Sequence, residues 1–292
     1  MNTLWLTLRE TAKLAGSQRK LWVPFALTAF VEALFLVFIW AAPQPPFSHL
    51  LAPPIRYFFG EHVLHYPLHL WFLYHVMAHT HLIASILAGA FMSGIACLMV
   101  RQTHEARPLS LRAALVSRQV RYGTVLLVWI STWALAKMAV GALVHAAPKS
   151  AGLWSAIGAT VFIQVLLAYA IPAAVFEGST WRKALSQSVR ETGRYPLSTA
   201  MAVIVPSAAA ILLAFLASPA RVAQWMAQTA PEIAFVFVIG RLLVWTAADA
   251  VMTVAVAHLW WIHRAQTSQE VSVTNSSATH QLLAVKGGPA VA

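Results

Sequence analysis

Four ionisable side chains stand inside long apolar runs of this 292-residue chain: Glu32, Lys137, Arg241 and Asp249. An unpaired charge at mid-bilayer costs about 2.5–3.5 kcal/mol on insertion scales, so two acids and two bases in such runs suggest pairing. Depth supports this. Counted along ideal helices, Glu32, Lys137 and Arg241 all fall about 12–15 Å below one common boundary. Asp249 is two helical turns deeper than Arg241. The expectation is that Glu32 pairs with Lys137 or Arg241. The set then serves either as a substrate or proton path through a bundle, or as structural ion pairs that fix helix register.

Histidines form the second group. His75 and His79 are spaced i, i+4, which suits chelation of Zn²⁺ or Cu²⁺. They belong to a stretch that also holds His62, His65, His69 and His81. His65 and His69 share the spacing, but Pro67 interrupts a simple helix between them. Glu61 is the only nearby carboxylate, and no cysteine is close. A metal site, a pH-responsive surface and plain interfacial packing all remain open. Cys97 lies in a small-residue stripe with Ser85, Gly89 and Ser93, a pattern for close helix packing in lipid. His258, followed by Trp260 and Trp261, reads as an interface residue rather than a haem ligand. No nucleophile elbow, P-loop, HExxH or dinucleotide fingerprint occurs. No catalytic residue and no cofactor are therefore expected.

The elements that carry these residues follow from composition. With 59% hydrophobic and 10% charged residues and a mean hydropathy of +0.68, the chain is not a soluble domain, which would carry about a quarter charged residues. Apolar runs of roughly 20 residues read as membrane spans. Six occur, over about 21–42, 67–100, 122–147, 151–176, 197–217 and 233–262. Spans three and four form a hairpin around Pro148. Pro172 should kink span four, and Pro206 lies within span five. The proline-rich stretch 43–67 cannot be one continuous helix. The connection 218–232 suggests a small interfacial helix around Trp225. The fold class is all-α, a polytopic membrane bundle of six transmembrane helices in three hairpins. Residues 1–264 make one transmembrane domain. The polar tail 265–292 is expected to be disordered.

Lys and Arg divide unevenly between the two sides, fifteen against three, with Lys137 and Arg241 inside spans. By the positive-inside rule both termini are cytoplasmic in an inner-membrane protein. The net charge of +11 then points to anionic headgroups of membrane lipids as partners, not nucleic acid.

Residues 179–195 combine basic side chains with Trp181, Ala184, Leu185, Ser188, Val189 and Thr192 at helical spacing. This predicts an amphipathic helix in the interface with that face toward lipid. Thr180-Trp181-Arg182 matches Thr7-Leu8-Arg9 and Ser110-Leu111-Arg112. Each match precedes two spans, which suggests a threefold repeat of about 1–100, 101–177 and 178–264.

Pro172, then Glu177-Gly178, Ala184-Leu185 and Ser188 resemble the membrane domain that accompanies some glycerophosphodiester phosphodiesterases, and related six-span bacterial proteins. The resemblance covers roughly 165–215. The soluble phosphodiesterase domain is absent, so the resemblance implies a fold and a membrane location, not hydrolysis. It carries over no catalytic residues. The expected role is a non-enzymatic, multi-pass membrane protein that handles lipids or assists envelope assembly. The alternatives are a small solute or ion transporter that uses the four intramembrane charges, and a membrane-embedded metal-binding enzyme.

Overall fold

In a bilayer every backbone N–H and C=O must be satisfied within the protein, so an apolar run of this length is held as a helix. The computed structural model describes residues 9–286 apart from 12, 15, 118–119, 147–151 and 229, with side chains up to residue 265 other than those of 153, 219 and 220. Six helices are long and apolar enough to span a membrane: Arg19–Ala41, Leu68–His104, Tyr122–Ala146, Trp154–Phe176, Pro196–Leu216 and Ile233–Ala265. No strand occurs among the described residues. The protein is an all-α polytopic bundle.

A 3-10 turn, Arg19–Trp22, leads into α1, Val23–Ala41. A short helix, α2, Ser48–Phe59, follows. Span two is α3, Leu68–Ala84, a π-helical turn, Ser85–Gly89, and α4, Ala90–His104. After a six-residue helix, α5, Leu111–Val116, come α6, Tyr122–Ala146, and α7, Gly152–Leu166. Then come α8, Ala170–Phe176, and α9, Trp181–Arg194. The chain finishes with α10, Pro196–Leu216, α11, Pro219–Gln228, and α12, Ile233–Lys286. Six alternating spans put both chain ends on one side, here called the near face. The α2 and α11 connections and the α6–α7 hairpin lie at the far face.

The described residues add detail to the sequence reading at several places. The stretch 43–67 is not one continuous helix, as expected; its longest piece is α2, which carries Pro53 and Pro54 inside it. Each lacks an N–H for the carbonyl four residues back. Those carbonyls belong to His49 and Leu50, which are exposed and need no partner from the helix. At the other end of the chain, α12 is helical through Lys286. The repeat motif also gives unequal helices. The second copy opens the six-residue α5, where Ser110 Oγ caps the Ala113 N–H at 3.2 Å. The third opens the fourteen-residue α9. Thr7 and Leu8 of the first copy, and Pro148, lie outside the described residues.

The role of α9 departs from the sequence reading. Pro172 has no N–H to give to the carbonyl of Ala168, and span four breaks into α7 and α8 at residues 167–169. A helix break in an apolar bundle frees backbone groups, and α9 supplies their partners. Ser188 Oγ donates to the Leu166 carbonyl at 3.1 Å and accepts the Tyr169 N–H at 3.0 Å. Thr192 Oγ1 donates to the Val165 carbonyl at 3.2 Å. The buried face of α9 is therefore Ala184, Gln187, Ser188, Glu191 and Thr192. Val189, expected on the apolar side, is 43% exposed. Gln187 Nε2 donates to Glu177, whose carboxylate also pairs with Arg264 at the near end of α12. The Pro172, Glu177 and Ser188 pattern is thus one joint that fastens a broken span to the helix beneath it.

Packing divides by height. Near the near face, Ile95, Met99, Val100, Val125 and Ala257 form one buried cluster. Val128, Tyr169, Ala173, Val203, Val256 and Trp260 form another beside it. Toward the far face the buried cluster is Leu36, Leu73, Tyr74, Met77, Val222 and Val238, which joins α1, α3, α11 and α12. Gly89 lets α1 approach the π turn: a methyl group there would stand 3.4 Å from Thr28 Cγ2.

Ser188→Ala should cost about 1–3 kcal/mol, because it leaves the buried Tyr169 N–H of the break without its partner, while Thr192 Oγ1, 3.3 Å away, still reaches the Leu166 carbonyl. Val189→Ala, one residue on and exposed, should change stability by no more than about 0.5 kcal/mol. Unfolding in detergent compares the two; equal losses would contradict the joint.

Candidate functional site

The site begins with Glu32. Its side chain is 2% exposed, in the middle of α1. Its partner is His81 on α3: His81 Nδ1 lies 2.9 Å from Glu32 Oε2. Neither Lys137 nor Arg241 forms an ion pair with Glu32 among the described residues, which corrects the pairing expected from depth. The second oxygen, Glu32 Oε1, is buried without a hydrogen-bond partner.

Aromatic rings take up the next charge. The Arg241 guanidinium stands 4.2 Å from the Trp245 ring centroid and 5.7 Å from that of Tyr74. The other contact of Trp245 is His81, with ring centroids 4.4 Å apart. Tyr74 O–H donates to the Ala217 carbonyl at the end of α10. Glu32, His81, Trp245, Arg241 and Tyr74 thus form one chain of contacts through α1, α3 and α12.

Beside this chain lies a cavity of about 550 Å³. α6 packs on α7 and α4, whereas α12 packs on α10, α4, α1 and α3; the space left between α6 and α12 is the cavity. Five of the six spans line it. Its polar side chains are His81, Lys137, Thr160, Gln164, Ser207 and Asp249, and its aromatic ones are Trp133 and Trp245. Val140, Ile157, Val161, Ile211 and Met252 make the apolar wall, with alanines. Val128, Tyr169, Val203 and Val256 fill the bundle on the near side of it. Toward the far face it reaches Ala156 and Ala214, which lie close to the ends of α7 and α10. Of the four intramembrane charges, Lys137 and Asp249 therefore line the cavity, while Glu32 and Arg241 stand behind it and reach it through His81 and Trp245.

The sequence reading missed His81 as a site residue because it was grouped with the interfacial histidines. The signal was its position, thirteen residues into α3, about 20 Å along the helix. The other histidines have plainer surroundings. His75 stacks on Trp71 with centroids 4.7 Å apart. His62, His75 and His79 line an apolar pocket of about 440 Å³ toward the far face. His69 is held by the Val63 and Trp40 carbonyls, each at 3.0 Å. Among the described residues, no three of His, Cys, Asp and Glu come together in a metal-holding arrangement. On the near face, His258 Nδ1 meets His104 Nε2 at 2.8 Å, and the His104 ring stacks on Trp261.

Outside the spans, Tyr66 O–H donates to Glu232 Oε1 at 2.8 Å and ties the α2–α3 connection to the start of α12. The bond to the carboxylate raises the Tyr66 pKa above its ordinary value. The Glu232 carboxyl is held below its ordinary value, first by its own backbone N–H and then by Tyr66.

No protein-family model, no curated protein and no solved structure matches this chain.

Two outcomes follow. A double-mutant cycle on Glu32→Gln and His81→Gln should show a coupling of about 0.5–3 kcal/mol, and one on Glu32→Gln and Lys137→Met less than about 0.5 kcal/mol. Chemical unfolding of the purified variants measures both, and the reverse order would contradict the Glu32–His81 pair. For the far-face link, a depressed carboxyl pKa makes its contribution present at neutral pH and lost as pH falls through the lowered Glu232 value. Hydrogen exchange over residues 60–67 should quicken, relative to its intrinsic rate, as the pH is lowered through the range in which Glu232 takes up its proton. Tyr66→Phe should show that behaviour already at pH 7.

Proposed function

We propose that this chain is a non-enzymatic inner-membrane protein that takes a small amphiphilic molecule into the cavity between α6 and α12, in lipid handling or solute transfer. The observation that carries this reading is the cavity itself, lined by five spans and holding Lys137, Asp249 and His81 among apolar walls. Small-molecule sites are typically hollows of about 300–1,000 Å³, mostly apolar with a few convergent polar groups. Ionisable residues facing the interior of a membrane bundle mark binding or transfer paths by default.

Orientation follows from charge. With fifteen of the Lys and Arg residues on the near face and three on the far face, the near face is cytoplasmic and the cavity faces outward. On that cytoplasmic side Arg182, Lys183, Arg190 and Arg194 are exposed along α9, where they suit anionic headgroups. The resemblance around Pro172 and Ser188 is in keeping with a membrane domain that serves lipid chemistry without performing it.

The test is stabilisation by ligand. A compound present at 100 times its Kd adds about 2.7 kcal/mol to the stability of the folded state. Lysophospholipids and small charged amphiphiles, screened by melting temperature on the full chain in a neutral detergent, should include at least one that raises it. Ser207→Trp, which fills the cavity, should remove that response. If no compound stabilises the wild type more than Ser207→Trp, the reading is overturned.

A further inference from the structure

We infer that the cavity takes a zwitterion: one small molecule carrying an anionic group for Lys137 and an ammonium for Asp249. This rests on the proposal that the cavity binds a ligand and names the chemistry of that ligand. The intramembrane charges differ in how they are satisfied. Glu32 has His81 at 2.9 Å, and Arg241 has the faces of Trp245 and Tyr74. Lys137 and Asp249 have no such arrangement. Lys137 Nζ is 6.0 Å from the Trp133 ring centroid, one turn away on its own helix. Among the described residues neither Lys137 nor Asp249 forms an ion pair, with each other or with any other group. Both are exposed to the cavity they line.

An acid and a base that could neutralise one another are thus held apart, one on α6 and one on α12, across a space open to a ligand. Their depths differ as well. Lys137 is about 13 Å along α6 from its far end, and Asp249 about 24 Å along α12 from its far end. A ligand bearing only an anion would satisfy Lys137 and leave Asp249 with no more than the longer-range influence of His81, and a cation alone would leave Lys137 unmatched. A molecule with both charges settles both, its anion toward the mouth and its ammonium deeper. Val140, Ile157 and Ile211 can cover an apolar remainder. An ethanolamine phosphate head and a free amino acid share this chemistry.

The experiment uses the full chain in a neutral detergent and four probes: lysophosphatidylethanolamine, phosphoethanolamine without a tail, lysophosphatidylglycerol and dodecylamine. Binding is followed by quenching of tryptophan fluorescence. Lysophosphatidylethanolamine or phosphoethanolamine should bind at least tenfold more tightly than either singly charged probe. If only the tailed zwitterion binds, the source is a lipid; if the head alone binds as well, it is a free solute. Asp249→Asn should bring the anionic probe level with the zwitterion, and Lys137→Met should do the same for dodecylamine. The exchange Lys137→Asp with Asp249→Lys should restore the zwitterion preference, which separates charge matching from a loss of folding. If lysophosphatidylglycerol binds the wild type as tightly as the zwitterion and Asp249→Asn changes nothing, the zwitterion is wrong while the cavity stands. If none of the four probes binds, the cavity proposal itself fails.

Discussion

A charge in the middle of an apolar bundle needs a counter-charge, an aromatic face or a space that water and ligand can enter. The architecture of this protein can be followed through how each charge meets that demand. Glu32 is buried against His81, which fixes α1 against α3 at mid-height. Arg241 lies on Trp245 and Tyr74, and Tyr74 in turn holds the end of α10 through the Ala217 carbonyl. Those contacts draw α1, α3, α10 and α12 into one packed half. Lys137, on the opposite helix pair, has only the neighbouring Trp133, and Asp249 faces it across the space between α6 and α12. The cavity is where the pairing stops.

The near half of the molecule is built on a different form of the same constraint. There the groups to be satisfied are backbone carbonyls and amides freed where span four breaks before Pro172. The hydroxyls of Ser188 and Thr192 meet them, and Glu177 draws Gln187 and Arg264 into the same joint. Tyr169, at the break, packs with Val128, Val203 and Val256 in the buried layer on the near side of the cavity. The joint therefore positions the layer that separates the cavity from the near face.

The six spans were legible because a run of about 20 apolar residues has few other fates. The four intramembrane charges were legible for the same reason: Glu32, Lys137, Arg241 and Asp249 interrupt such runs. Their partners were not. Helical depth places residues along an axis and says nothing of which way they face, so Lys137 looked as close to Glu32 as any base could be. His81 carries no fixed charge and ends a series of surface-like histidines, and its burial emerged only with the packing of α3 on α1. The face of α9 was misread for a related reason. Polar residues such as Gln187 and Glu191 are normally assigned to water. Here Gln187 is buried because the loop after the broken span offers it Ser179 and Glu177, while Glu191 is paired with Arg190 and Arg194 of its own helix, and the first of these requires knowing where that loop lies in space.

Small-reagent labelling provides the direct check on the cavity. In cells expressing a Cys97→Ser background, a cysteine is placed at Ser207 on the cavity wall. A small, charged, membrane-impermeant methanethiosulfonate is then added from outside. With the far face outside, as proposed, a hollow that extends toward Ala214 predicts rapid modification of that cysteine, slowed by Ala214→Trp. In the unsubstituted chain, labelled in parallel, the native Cys97, fully buried between helices, should stay unreactive. Modification at position 207 no faster than at Cys97 would contradict the cavity and everything assigned to it.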